Sequence, residues 1–187
     1  MNHAVLENTR VRLTPLKIED IAALESVAFE DPELLAFSPS SIHNPQSLKA
    51  YVSIALKERY AYLIFDKSRH AYAGSTSFGN YSEYHKRVEI GWTWIGKLFQ
   101  GTGLNSSIKM LMLQHAFESE GMERVEFKID ARNIRSRKAV EKLGAVYEGK
   151  FRSHTVMEDG FRRDTVYYGI LKKEWVDVKN NIASFLR

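Results

Sequence analysis

Short bursts of alternating apolar and polar residues run through this chain, separated by stretches whose apolar positions recur at helical spacing. Residues 10–14 alternate and predict a strand. Residues 18–29 carry Ile18, Ile21, Ala22, Leu24, Ala28 and Phe29, a spacing that suits a helix. Residues 31–45 hold three of the four prolines together with several serines, so a loop or a short broken helix is expected there. Pro45 then opens a helix over 46–59, at the position where a missing N–H costs nothing. Strands are predicted at 61–65, 71–79 and Arg87–Ile95, joined by polar turns short enough for antiparallel hairpins. A helix from Leu104 ends at Gly121. A cleanly alternating strand occupies Arg124–Asp130, a helix 133–143, and two strands 147–157 and 161–171 flank the turn Glu158-Asp-Gly160. The order β-α-α-β-β-β-α-β-α-β-β, with no repeat or linker, predicts one α/β domain over 1–187.

Composition narrows the field. The chain has 44% hydrophobic and 27% charged residues, which marks a globular protein, and no cysteine. Disulfides, thiolate metal sites and cysteine nucleophiles are thereby removed, and a cytoplasmic location is expected. No apolar run is long enough to span a bilayer, so no membrane partner is expected. A net charge of +4 spread along the chain favours an anionic small ligand over nucleic acid. Six scattered histidines without a paired spacing leave the expectation at no metal.

The chemistry concentrates in Gln100-Gly101-Thr102-Gly103-Leu104-Asn105-Ser106, between a predicted strand and a predicted helix. Its glycines permit a tight turn and a close backbone approach, and the following helix offers unpaired N–H groups to an anion. Many helices begin after such turns with no ligand. The loop lacks the Gly-Lys-Ser/Thr ending of a nucleoside-triphosphate loop and the third glycine of a dinucleotide fingerprint. In the strand before it, period two puts Val88, Ile90, Trp92 and Trp94 on one face and Glu89, Gly91, Thr93 and Ile95 on the other. Glu89 is then an acid opposite two tryptophans, either in a site or solvated and paired with Lys86 or Arg87. Asn133 and Ser136 are likewise a helix cap and an ordinary first-turn residue, or ligand contacts amid Arg132, Arg135, Arg137 and Lys138.

Taken together, Gln100-Gly-Thr-Gly-Leu-Asn105, Glu89-Ile-Gly-Trp92, the stretch from Asp130 through Asn133 to Gly144, and Asp159-Gly-Phe-Arg-Arg-Asp164 resemble the GCN5-related N-acetyltransferase (GNAT) superfamily, in its RimJ/RimL-type branch. Gln100 and Gly103 match the loop pattern Gln/Arg-x-x-Gly-x-Gly/Ala, whereas Asn105 departs from its usual small residue. The resemblance implies a mixed, mostly antiparallel sheet with helices on both faces and splayed fourth and fifth strands. It implies acetyl-CoA between those strands, its pyrophosphate on the backbone of Gln100, Gly101, Thr102, Gly103, Leu104, Asn105 and Ser106. Its pantetheine arm would lie along the main chain of Trp94 and Ile95 and against Asn133. Glu89 is then the candidate base and Ser136 the group beside the thioester sulfur. The implied activity is transfer of an acetyl group to a primary amine, of a peptide N-terminus or a small molecule, with a non-catalytic acyl-CoA sensor as the alternative. Residues 18–37 and the last hairpin are expected on the acceptor side, with Arg152, His154, Arg163 and Asp164 either available to the acceptor or, the favoured reading, salt-bridged to one another within the hairpin. An open sheet edge or the aromatic hairpin would serve a homodimer.

Overall fold

The computed structural model describes residues 1–40 and 42–186. Eight strands form one sheet: β1 (Leu6–Glu7), β2 (Val11–Pro15), β3 (Tyr60–Asp66), β4 (Ala71–Ser82), β5 (Arg87–Ile95), β6 (Arg124–Asp130), β7 (Val146–Val156) and β8 (Arg162–Leu171). Their spatial order is β1-β2-β3-β4-β5-β6-β8-β7. Every neighbouring pair is antiparallel except β5 with β6, which run parallel. The helices are α1 (Ile21–Ala28), α2 (Pro45–Glu58), α3 (Leu104–Gln114), α4 (Ile134–Leu143) and α5 (Trp175–Phe185).

The expected elements all form, with local reasons at their ends. α2 starts with Pro45 because Asn44 caps it: the Asn44 side chain accepts from the Ser47 N–H at 2.9 Å. Residues 18–20 make a single 3-10 turn before α1, tied by the Lys17 N–H donating to Asp20 Oδ2. The proline-bearing segment is a series of turns over 32–40, and Ser41 lies outside the described residues. Two elements exceed expectation. β1 is too short to leave a pattern, while α5 had one, since Trp175, Val178 and Ile182 recur at helical spacing and are all buried.

Helices cover both faces of the sheet, as the resemblance implied. Leu104 and Ile108 of α3, Val140 and Leu143 of α4, and Val178 and Ile182 of α5 pack with Val88, Ile90, Val125 and Phe127. On the other face, Leu24 and Val27 of α1 and Leu48 and Val52 of α2 pack with Ala61, Leu63 and Trp94. Each fully buried Leu or Ile contributes roughly 1.5–3 kcal/mol, so these two layers fix the sheet between them.

The strict alternation expected along β5 does not hold. Trp92 adopts φ 50°, and the pairing with β4 slips between Ser75 and Ser77, where one β4 residue faces two of β5. This bulge inverts the phase of everything after it. Val88 and Ile90 face α3, but Trp94 joins the α1–α2 layer and Ile95 the α3 layer. Thr93 also turns toward α3, bonding Lys109 there. Trp92 lies under Arg59 at the end of α2, 4.8 Å from guanidinium carbon to ring centre. Glu89 therefore shares its face with the tryptophans instead of opposing them.

β5 and β6 pair only from Arg87–Arg124 to Glu89–Glu126. Beyond Glu89 they splay apart, although each continues for several residues, and a V-shaped cleft opens between residues 90–95 on one arm and 127–130 on the other.

Candidate active site

The loop from Gln100 sits at the mouth of this cleft. Gly101 (φ 73°) and Gly103 (φ 83°) are left-handed, a conformation that side chains with a Cβ rarely take, and a Cβ at either would enter open space. Gly103 caps α3 without a side-chain hydrogen bond. Among the described residues, no acceptor is found for the backbone N–H groups of Gly101, Thr102, Gly103, Leu104, Asn105 or Ser106; the first to be satisfied is Ser107, on the Gly103 carbonyl. A row of free N–H groups at the positive end of a helix is suited to a phosphate. The Thr102 hydroxyl donates to the Phe99 carbonyl at 2.7 Å and so stays with the turn.

The Gln100 side chain faces inward and across. Its Nε2 donates to the Ile95 carbonyl at 2.8 Å, and its Oε1 accepts from Arg135 in the first turn of α4. The Ile95 carbonyl, expected to meet the ligand, is thus already engaged by the protein. Through Arg135 the loop is joined to the start of α4, where Asn133 is the N-cap: its Oδ1 accepts from the Ser136 N–H at 3.0 Å. Capping uses only that oxygen, and the Asn133 amide nitrogen has no protein partner among the described residues. The expected basic cluster is mostly occupied within the fold. Arg132 pairs with Asp130 at 2.6 Å and lies on Phe161, and Arg137 donates to the Tyr168 hydroxyl and the Ala131 carbonyl. Burial pulls the Asp130 carboxyl up, but hydrogen bonds from Arg132 outweigh it and hold the group below its usual value.

Glu89 stands at the fork of the cleft and is 5% exposed, so the solvated reading fails. Its partners are neither Lys86 nor Arg87. Asn80 Nδ2 donates to Oε2 at 2.6 Å, and Lys128 Nζ approaches the same oxygen at 2.7 Å. Arg87 goes instead to Glu126. Oε1 keeps no protein hydrogen bond among the described residues. Two adjoining depressions lie on this face, about 310 and 200 Å3, both bordered by Ser40 and Ile54. The smaller reaches Asn80 and Trp92; the larger runs between α2 and Val156, Met157 and Glu158 of the last hairpin. Of the hairpin groups expected there, Asp164 is held by Lys150 and the Ser153 N–H, and Arg163 donates to the Phe37 carbonyl.

This arrangement, a glycine-turned anion loop beside splayed parallel strands, has close counterparts. The family described as the acetyltransferase (GNAT) domain matches residues 10–146. The chain belongs to the GNAT acetyltransferases. Members use acetyl-CoA as acetyl donor, and this chain is an N-acetyltransferase by family. It is 28% identical over 175 residues to YdaF of Bacillus subtilis, named as a candidate ribosomal N-acetyltransferase, covering 90% of this chain and 94% of YdaF. A candidate acetyltransferase of T. thermophilus, of known structure, is 36% identical with a TM-score of 0.89, covering 98% of this chain and 97% of its own. A GCN5-related N-acetyltransferase from Brucella melitensis superposes with a TM-score of 0.93 at 23% identity, covering 100% and 87% respectively. No helix among the described residues is long and apolar enough to cross a membrane.

Sequence reasoning missed three neighbours of the GNAT cleft. Lys128 sits on the polar face of an alternating strand, but its meeting with Glu89 depends on a parallel register that no local pattern encodes. Asn80 arrives through the β4–β5 hairpin. Lys109, on α3, is 5% exposed with its Nζ on Thr93. It was readable as a charge amid the apolar positions of that helix.

Proposed function

We propose that this GNAT enzyme moves the acetyl group of acetyl-CoA directly to the α-amino group of a peptide in a ternary complex. The observation that carries the reading is the row of N–H groups from Gly101 to Ser106 without acceptors, at the mouth of a cleft whose fork holds a buried carboxylate. In this reading the loop holds the pyrophosphate, the Asn133 amide nitrogen donates to the pantetheine arm, and the unpaired edge of β5 near Trp94 lies along it. Glu89, through its Oε1 and a water, removes the proton that the acceptor amine must lose before attack. A β5 backbone N–H beside the bulge steadies the tetrahedral oxyanion, and the Ser136 hydroxyl donates to the departing thiolate.

A peptide N-terminus is favoured over a lysine because its amine deprotonates near pH 8, against about 10.4 for lysine, which asks less of the base. The two adjoining depressions, one reaching Asn80 and the other running on toward the last hairpin, suit an extended chain more than a compact amine. The name of YdaF points to ribosomal protein as the acceptor, in keeping with a RimJ/RimL-type role. Calorimetry with acetyl-CoA, CoA, ATP and NAD, followed by turnover assays on N-terminal peptides and small amines, tests the reading. Selective binding of acetyl-CoA with turnover on peptides is expected. Binding of acetyl-CoA with no turnover on any amine would leave a non-catalytic acyl-CoA sensor in its place.

A further inference from the structure

Lys109 is buried in α3 and has no carboxylate within ion-pairing reach among the described residues. Its Nζ meets a single partner, the Thr93 hydroxyl, at 2.6 Å. Thr93 Oγ1 is in turn 2.7 Å from Thr76 Oγ1 and 3.4 Å from the Gly91 carbonyl, and Thr76 touches Met112 of α3. These contacts bracket the β5 bulge: Gly91 and Thr93 flank Trp92, while Thr76 is the β4 residue opposite the slip. From the other face the bulge is held by the Tyr51 hydroxyl on the Trp92 carbonyl and by Arg59 on the Trp92 ring.

We propose that Lys109 is a positioning residue for acetyl transfer, holding Thr93 and so the backbone of the β5 bulge that borders the cleft. The proposal rests on the reading of that cleft as the transfer site. A bulge has lost part of its ladder, so its peptide orientation depends on side-chain contacts from both faces. Apolar residues would fill the space behind Thr93 at lower cost, since an unpaired buried amine gives up its hydration for one hydrogen bond. Retaining it there is explained if the hydrogen bond sets the geometry of a strand that must align reacting groups.

Burial alone lowers the Lys109 pKa to about 7. Most charged groups on adjoining elements are committed elsewhere: Glu7 of β1 pairs with Arg12 of β2 and with Lys67, and Asp177 of α5 is exposed and makes no ion pair among the described residues. Glu89 projects from the opposite face of β5 to Lys128, and Asp130 of β6 to Arg132. Arg10 of the segment before β2 is paired with Asp66, and His115, beyond α3, lies near Glu120. Neutral Lys109 is thus compatible with the dry packing, and protonation places a cation with three donors beside one acceptor. The well-ordered bulge belongs to the neutral form, and turnover rises with pH through about 7 for this reason as well as for the titration of the acceptor.

Lys109→Met tests this against the wild type, with acetyl-CoA affinity, turnover across pH 6–9 and thermal stability all measured. The expected variant is more stable, binds acetyl-CoA within twofold of the wild type, and has kcat lowered on the order of tenfold, the scale of a small misalignment. Its pH profile lacks the inflection near 7. Unchanged kcat and profile overturn the proposal, as does a loss of stability parallel to the loss of rate. If acetyl-CoA fails to bind the wild type, the reading of the cleft fails instead. Should the variant not fold, the wild type with 13C-labelled lysine decides: one signal titrating near pH 7 and displaced by CoA is expected, and no such signal, or one that CoA leaves unmoved, overturns it.

Discussion

Lys128, two residues past the last β5–β6 register pair Glu89–Glu126, places its ammonium 2.7 Å from Glu89 Oε2. The ion pair anchors one carboxylate oxygen and leaves the other, beside Gly91, without a protein hydrogen bond among the described residues. Glu89→Gln preserves size and the Asn80 contact but cannot accept a proton. It is expected to lower kcat by about 10²–10⁴, the usual worth of a positioned base, while acetyl-CoA affinity stays within about twofold. Steady-state kinetics with calorimetry checks both halves; unaltered turnover removes Glu89 as the base. Lys128→Met frees the carboxylate to move, and a smaller loss in kcat, about tenfold, is expected.

A side chain at Gly103 meets two obstacles. The position has φ 83°, which costs an L-residue roughly 1–2 kcal/mol, and a branched side chain there would crowd the loop on which the proposed pyrophosphate rests. Gly103→Val should therefore raise the acetyl-CoA dissociation constant at least about tenfold with circular dichroism unchanged. Equal affinity for the variant would mean that the anion lies elsewhere.

Asn133 has two roles that one substitution separates. Asn133→Ala removes the cap on α4, worth about 1 kcal/mol, and should lower Tm by roughly 2–4 °C in a chain of this length. Asn133→Asp keeps the capping oxygen but loses the amide donor. It should retain Tm yet weaken acetyl-CoA binding, and full affinity in the Asp variant would confine Asn133 to its structural role.

Lys109 also makes stability depend on pH in a definite direction. With a folded pKa of about 7 against an ordinary value of 10.5, the unfolded chain binds more protons across that interval. Stability consequently rises with pH between the two values. The gain from Lys109→Met should be largest below pH 7, a few kcal/mol at about 1.4 per pH unit, and should vanish above about pH 10.5. Denaturant melts of both proteins at pH 6, 8 and 10 read this difference; a pH-independent gap would mean that Lys109 does not titrate in the fold.

The element order was legible because most strands and helices carry strong local periodicity and clear punctuation, as at Pro45 and Gly101. The conformation of the candidate site was legible where it is local: the glycine turn of the loop, and the cap formed by Asn133 on Ser136. What escaped depends on contacts between distant segments. Local pattern left Glu89 either in a site or solvated beside Lys86 or Arg87, and only the fold brings Lys128 of β6 to it. The side-chain phase of β5 was misread because a bulge with a tryptophan at positive φ has no turn residue at that position to announce it.

That bulge carries a consequence for how the enzyme can change. Because one additional residue divides β5, the same strand presents Glu89 and the tryptophans toward α2, yet turns Thr93 and Ile95 toward α3. No exchange of side chains can undo this partition, since it resides in the count of backbone units. Removing one residue near Trp92 would restore a continuous register with β4 and still leave Trp94 toward α2 and Ile95 toward α3. Such a deletion would therefore alter the displaced backbone at Trp92 alone, with both helix layers still in phase.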